Sequence, residues 1–148
     1  AAPLWLARAT SKLQSQYTSG ASSIAQKAAE AAYTGSQECV GHMREAFERR
    51  RDLIVGLART VPGWKVNVPQ GAFYLFPEVS ACLGKRYGDT VIETDSDLAM
   101  YLLQNAHVAT VAGSAFCLPG YLRLSYATAD EKIVEAIERI RVTLEQLV

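Results

Sequence analysis

The sequence predicts an α+β domain, helices packed on a small mixed sheet, preceded by helices that belong to a neighbouring domain. Three observations carry this expectation. The 148 residues are 49% hydrophobic and 20% charged, which is globular composition with enough apolar residues to build a core. Apolar residues recur at helical spacing in five stretches, whereas Trp64 to Val68, Ala72 to Phe76, Val108 to Val111 and Tyr121 to Tyr126 read as strands. The order is therefore helices, hairpin, helix, two strands, helix, without an internal repeat.

Pro3 suits the first turn of a helix, and Leu4, Trp5, Leu6, Ala9 and Leu13 share one face of it to about Gln14. Gln14 to Gly20 is polar, with Ser and Gly residues that favour a connector. Ser22 or Ser23 can cap a second helix, whose Ile24, Ala25, Ala28, Ala29 and Ala32 form a small-residue face suited to close helix packing. Residues 1–34 contain no strand, so a domain boundary is expected near Thr34 to Gln37. Residues 1–34 would then end one helical domain and residues 35–148 would form the α+β domain.

From Gln37 to Arg59 a longer helix carries Val40, Met43, Phe47, Ile54 and Leu57 on one stripe, interrupted by Arg50. Pro62-Gly63 ends it. Trp64, Val66 and Val68 alternate with Lys65 and Asn67, the turn Pro69-Gln70-Gly71 follows, and Ala72 to Phe76 returns as the second arm of a hairpin. Residues 78–93 lack periodicity and read as a surface loop. Thr94 with Asp97 three residues on marks a helix start, with Leu98, Tyr101 and Leu102 on the buried side and an end near His107. Val108 to Val111 is a short strand, 113–120 a loop, and Tyr121 to Tyr126 a strand. Thr128 and Glu131 cap a last helix, whose Ile133, Ile137, Ile140, Leu144 and Leu147 keep an alternating four-and-three spacing.

Several function classes are disfavoured. Fifteen basic residues balance fifteen acidic ones, so no net field draws the chain to nucleic acid or an anionic membrane. The run Glu48-Arg49-Arg50-Arg51-Asp52 is flanked by acids, Glu45 can pair with Arg49 one turn away, and a solvated helix face is expected. Cys39 and His42 lack a second pair to complete a metal site. Two histidines and no glycine-elbow serine leave no hydrolytic triad. Three cysteines at wide spacing point to a reducing compartment, hence the cytoplasm. No apolar run approaches the roughly eighteen residues of a membrane-spanning helix. The start at Ala1-Ala2-Pro3, without an initiator methionine, reads as the beginning of a fragment.

The segment richest in chemistry is Val111 to Ala127. In its strand Arg123 shares a face with Tyr121 and Ser125. An arginine amid apolar residues requires a partner, and a planar carboxylate matches its guanidinium fork. Two partners remain open from the strand alone: a carboxylate of this chain, or one from a ligand.

Here the chain resembles the class I aminotransferases, the aspartate aminotransferase type that depends on pyridoxal 5'-phosphate. The resemblance rests on Tyr-Leu-Arg-Leu-Ser-Tyr-Ala at 121–127 with the glycine loop before it, on Pro-Gln-Gly-Ala-Phe-Tyr at 69–74, and on Leu-Gln-Ser-Gln-Tyr-Thr-Ser at 13–19 with Ala25-Gln26. These motifs stand in family order and cover essentially the whole chain. The resemblance implies that residues 1–34 end the large cofactor domain and that 35–148 are the small domain of an α/β parent. It implies that Arg123 clamps the substrate α-carboxylate, with Phe116 and Gly113 lining the pocket. It also implies that Thr18 reaches toward the cofactor of a partner subunit in a homodimer. Cys117 falls where many relatives carry glycine and is given no role. Ser11-Lys12 imitates the cofactor-bearing lysine, but the glycine and arginine that should follow are replaced by Leu13 to Gln16. That lysine is expected upstream of residue 1, so no catalytic residue is assigned here and this piece is expected to bind no cofactor and to be inactive alone. An aromatic or alanine-type aminotransferase, a related lyase, or a non-catalytic packing or dimerisation module through residues 1–34 are the alternatives. The implied substrates are an amino acid and a 2-oxo acid.

Overall fold

Residues 2–148 are described by the computed structural model, and the chain divides into two units, 1–42 and 43–148. In the first, α1 spans Leu4–Tyr17. It runs three residues beyond the end expected at Gln14, because the polar residues that suggested a connector satisfy the helix instead. The Thr18 N–H and Oγ1 both donate to the Gln14 carbonyl, at 2.9 and 3.1 Å, and Ser15 Oγ donates to Lys12. Ser19, at φ +60°, turns the chain away. The second helix, α2, spans Ser23–Thr34 after Ser22, whose side chain makes no capping bond. Leu4, Trp5, Leu13, Tyr17, Ile24 and Tyr33 on these helices are exposed.

Helix α3 spans Glu38–Ala58. Its residues from Met43 onward belong to the second unit, where Ile54, Val55 and Ala58 are buried. The expected Glu45–Arg49 pair does not form. Arg49 and Arg50 instead donate to the two oxygens of Asp130, at 3.2 and 3.1 Å.

The main sheet of the second unit has three strands, β1 (Tyr74–Leu75), β4 (Val111–Ala112) and β5 (Leu122–Ser125), in the order β1-β5-β4. Every pairing is antiparallel, with Leu75 opposite Leu124 and Val111 opposite Arg123. Two further strands, β2 (Arg86–Tyr87) and β3 (Thr90–Val91), form a separate hairpin. Helix α4 spans Asp95–Asn105 and α5 spans Asp130–Leu144. The expected class, helices on a small sheet, is what forms, with the sheet antiparallel where a mixed one was expected, and the α5 stripe Ile133, Ile137, Ile140, Leu144 and Leu147 is buried throughout. Together with Leu75, Leu98, Leu102, Leu122 and Leu124 it makes the core, each such side chain contributing about 1.5–3 kcal/mol.

Four expectations are corrected. Trp64 to Val68 is not a strand: it meets the return segment only where Lys65 and Glu78 exchange backbone bonds, both 3.0 Å. The central β5 recruits the return arm instead, because Leu75 and Leu124 bury each other there. Residues 78–93 are not simply a surface loop, since Val79, Cys82 and Ile92 are core residues. Burial pushes the Cys82 thiol up from its ordinary value, so it serves as a small apolar side chain. The strand expected at Val108 to Val111 begins only at Val111. Thr128 does not cap α5; Ala129 precedes that helix, and Asp130 and Glu131 supply negative charge to its first turn. The Thr94–Asp97 signature, by contrast, forms a reciprocal capping box: Asp97 N–H donates to Thr94 Oγ1 at 3.1 Å and Thr94 N–H to Asp97 Oδ2 at 2.8 Å.

Candidate functional site

Period-two alternation on β5 sends Leu122 and Leu124 into the core and leaves Arg123 half-buried on the opposite face. Its position is fixed by strands on both sides. β1 brings Tyr74 opposite Ser125, one diagonal step from Arg123, within reach of a long side chain. The guanidinium carbon lies 4.5 Å from the centre of the Tyr74 ring and 4.5 Å from that of Phe116. Each such contact is worth roughly 0.5–2 kcal/mol, depending on how dry it is. Phe76 extends the aromatic surface, stacked on Tyr121 at 5.3 Å and edge-on to Phe116 at 6.1 Å.

Among the described residues four arginines are half-buried: Arg50, Arg51, Arg123 and Arg141. Arg50 pairs with Asp130, Arg51 with Glu48 and Asp52, and Arg141 with Glu138 and Glu145. Among the described residues no carboxylate pairs with Arg123. Aromatic faces hold the cation without consuming its hydrogen-bond donors, so the planar fork stays available to an outside carboxylate or other planar anion.

Phe116 is carried by a single 3-10 turn, Gly113–Phe116, between β4 and β5. Gly113 starts it and is buried against the chain that follows. A methyl group added there would lie 2.3 Å from the Leu118 carbonyl oxygen and 2.8 Å from Tyr121 Cβ. Its N–H donates to Tyr121 O at 2.8 Å. Gly113 therefore lets the turn press onto the start of β5, which sets where Phe116 can stand. Cys117, next in the chain, has φ +59°, a left-handed conformation that favours glycine.

Arg123 and Phe116 are thus brought into contact, with Gly113 at the base of the same turn. Thr18 belongs to the first unit, where it is exposed and its hydroxyl is turned back to Gln14. Lys12 is exposed on α1. Tyr74 received no role from sequence reasoning; its only signal was the alternation that puts Tyr74 and Phe76 on one side of an aromatic run. Asp95 had no signal at all, since its partner, the Ser114 N–H at 2.8 Å, lies nineteen residues away. Among the described residues no group of three or more His, Cys, Asp or Glu side chains could hold a metal ion, and no helix is long and apolar enough to cross a membrane.

The chain as a whole is similar to known proteins. The family model for aminotransferase class I and II matches residues 1–140. The aspartate aminotransferase of Rhizobium meliloti (strain 1021) is 44% identical over 146 residues, covering 98% of this chain and 36% of the relative. The aspartate/prephenate aminotransferase of Cereibacter sphaeroides is 46% identical over 142 residues, covering 95% and 36%. A crystal structure of the aspartate aminotransferase from Rhizobium meliloti superposes with a TM-score of 0.89 at 42% identity, covering 100% of this chain and 37% of that one. The chain thus spans about 36% of the length of the curated relatives it matches.

Proposed function

The chain belongs to the class I and II aminotransferase family, and from that premise we propose that it forms the substrate-carboxylate site of an enzyme moving an amino group between an aspartate- or glutamate-type amino acid and a 2-oxo acid. The observation that carries this reading is Arg123, half-buried, cradled by Tyr74 and Phe116, and free of any carboxylate among the described residues. Arg123 would bind the α-carboxylate through its fork, Phe116 would restrict the orientation of the guanidinium, and Gly113 would allow the turn to approach closely. Amino acid and oxo acid share that carboxylate, so one clamp serves both substrates. Holding the carboxylate fixes the α-carbon, and orientation of this kind can supply several kcal/mol of barrier lowering.

The reaction calls for pyridoxal 5'-phosphate, whose aldehyde and ring supply an electron sink when bound. The residues of this chain do not fit its anchorage. Lys12, Lys27, Lys65, Lys85 and Lys132 are all exposed, and Lys27, Lys65 and Lys132 pair with Glu30, Glu78 and Glu135. The share of this chain is therefore orientation of the substrate. Residues 1–34 are assigned to the end of the cofactor domain and 35–148 to the small domain. Cytoplasmic residence and a homodimer, in which Thr18 stands near the cofactor of the partner subunit, complete the proposal. The exposed Trp5, Tyr17, Ile24 and Tyr33 support association through the first unit.

The test is Arg123→Ala in the full-length polypeptide that carries this segment, with aspartate and glutamate among a panel of amino donors. The expected loss in kcat/KM corresponds to about 2–5 kcal/mol, the range for stranding one partner of a desolvated charge pair. A variant within about twofold of the parent would sink the reading.

A further inference from the structure

Asp95 is a charged side chain buried in the core of the second unit, 3% exposed. A carboxylate is costly to desolvate unless something compensates it. Two groups do so here. Asp95 is the first residue of α4, where the helix dipole favours negative charge. Its Oδ2 also accepts the Ser114 backbone N–H at 2.8 Å, a charge-assisted bond. Ser114 is the second residue of the turn whose fourth is Phe116, and the Phe116 ring stands 4.5 Å from the Arg123 guanidinium carbon. The turn is thus held at two points, by Gly113 N–H on Tyr121 and by Asp95 on Ser114.

The geometry points to Asp95 as a positioning residue for the carboxylate site: it ties the Gly113–Phe116 turn to α4 and so fixes the Phe116 ring over Arg123. The inference rests on the reading of Arg123 as the carboxylate clamp. Asp95 touches no substrate. Removing its carboxylate releases the turn, Phe116 drifts, and Arg123 gains conformations that do not face the substrate. A loosened clamp binds substrate less tightly, so KM rises, and it orients the α-carbon less well, so kcat falls beside it. A variant that was merely unstable would lower the active fraction instead, and kcat would fall at unchanged KM.

The experiment uses the full-length holoenzyme, with KM and kcat for amino donor and oxo acid and the inhibition constant of succinate, a dicarboxylate with no amino group to transfer. Asp95→Ala is expected to raise KM and the succinate constant roughly tenfold, and Asp95→Asn, which keeps an acceptor oxygen for Ser114, to recover most of this. If Asp95→Ala fails to fold, Asp95→Glu, which displaces the carboxylate by one methylene, must raise the succinate constant several-fold. Added to Phe116→Leu, the Asp95 change should have little further effect on succinate, since both act through one ring. Unchanged succinate inhibition in Asp95→Ala or Asp95→Glu, or full additivity with Phe116→Leu, overturns the role of Asp95 while Arg123 stands. Unchanged succinate inhibition in Arg123→Lys overturns the clamp itself, and the role of Asp95 with it.

Discussion

Gly113→Ala tests how tightly the turn is built. The added methyl carbon would sit 2.3 Å from the Leu118 carbonyl oxygen, about 1 Å inside an ordinary carbon–oxygen contact of roughly 3.3 Å. Tyr121 Cβ at 2.8 Å and Tyr121 O at 2.9 Å crowd the same point. Two of these three atoms are backbone, so no side-chain rotation relieves the clash and the turn must move. Overpacking of this kind costs about 1–3 kcal/mol. The Gly113 N–H bond to Tyr121 O, 2.8 Å long, is strained or lost in the process, adding about 0.5–1.5 kcal/mol. A destabilisation of about 2–4 kcal/mol follows. The assay is urea unfolding followed by the fluorescence of Trp64, which is buried, in a Trp5→Phe background that leaves Trp64 as the only tryptophan. Gly56→Ala is the control. Gly56 lies exposed in α3 with nothing within 4 Å of the added carbon, so alanine should stabilise by about 0.5–1 kcal/mol through helix propensity. Equal, small effects at the two glycines would refute the close-approach argument.

Other outcomes are accessible to the same unfolding measurement. Thr94→Ala removes the Oγ1 that accepts from Asp97 and should cost about 0.5–2 kcal/mol, leaving the denaturant slope unchanged. Hydrogen bonds from Arg49 and Arg50, with their charge, hold the Asp130 carboxyl below its usual value. A depressed folded-state pKa adds stability that is present above the unfolded value and is lost as pH falls through the folded one. The parent should therefore lose stability below about pH 4, and Asp130→Asn should flatten that acid limb; an unchanged limb would show that the pair contributes nothing measurable. Cys117→Gly relieves a left-handed residue at φ +59° and should stabilise by up to about 1 kcal/mol, the strain relieved being partly offset by backbone entropy. A destabilised glycine variant would mean that the Cys117 side chain makes a packing contribution larger than that strain.

Local chemistry made much of the fold legible in the sequence. The α5 stripe and the Thr94–Asp97 box depend on residues three and four apart, and both form as the pattern demands. Arg123 stood out for the same reason: an arginine between two leucines conflicts with burial, and the alternation of a strand fixes which face it takes. Where pairing depended on distant partners, the pattern misled. Trp64 to Val68 alternates well, yet Tyr74–Leu75 chose β5, because Leu124 offered a buried partner some fifty residues away. The Glu45–Arg49 pair was sensible on one helix, but Asp130 offered two oxygens to two arginines.

The sequence by itself determined the class of fold, the family resemblance and the arginine, since each is written in short-range spacing and side-chain chemistry. Tertiary structure decided what surrounds that arginine. Tyr74 comes from one strand, Phe116 from a turn, and the turn is held by Asp95 on a helix nineteen residues before Ser114. No periodicity links these positions; only packing Leu75, Leu122 and Leu124 into one core brings their opposite faces together.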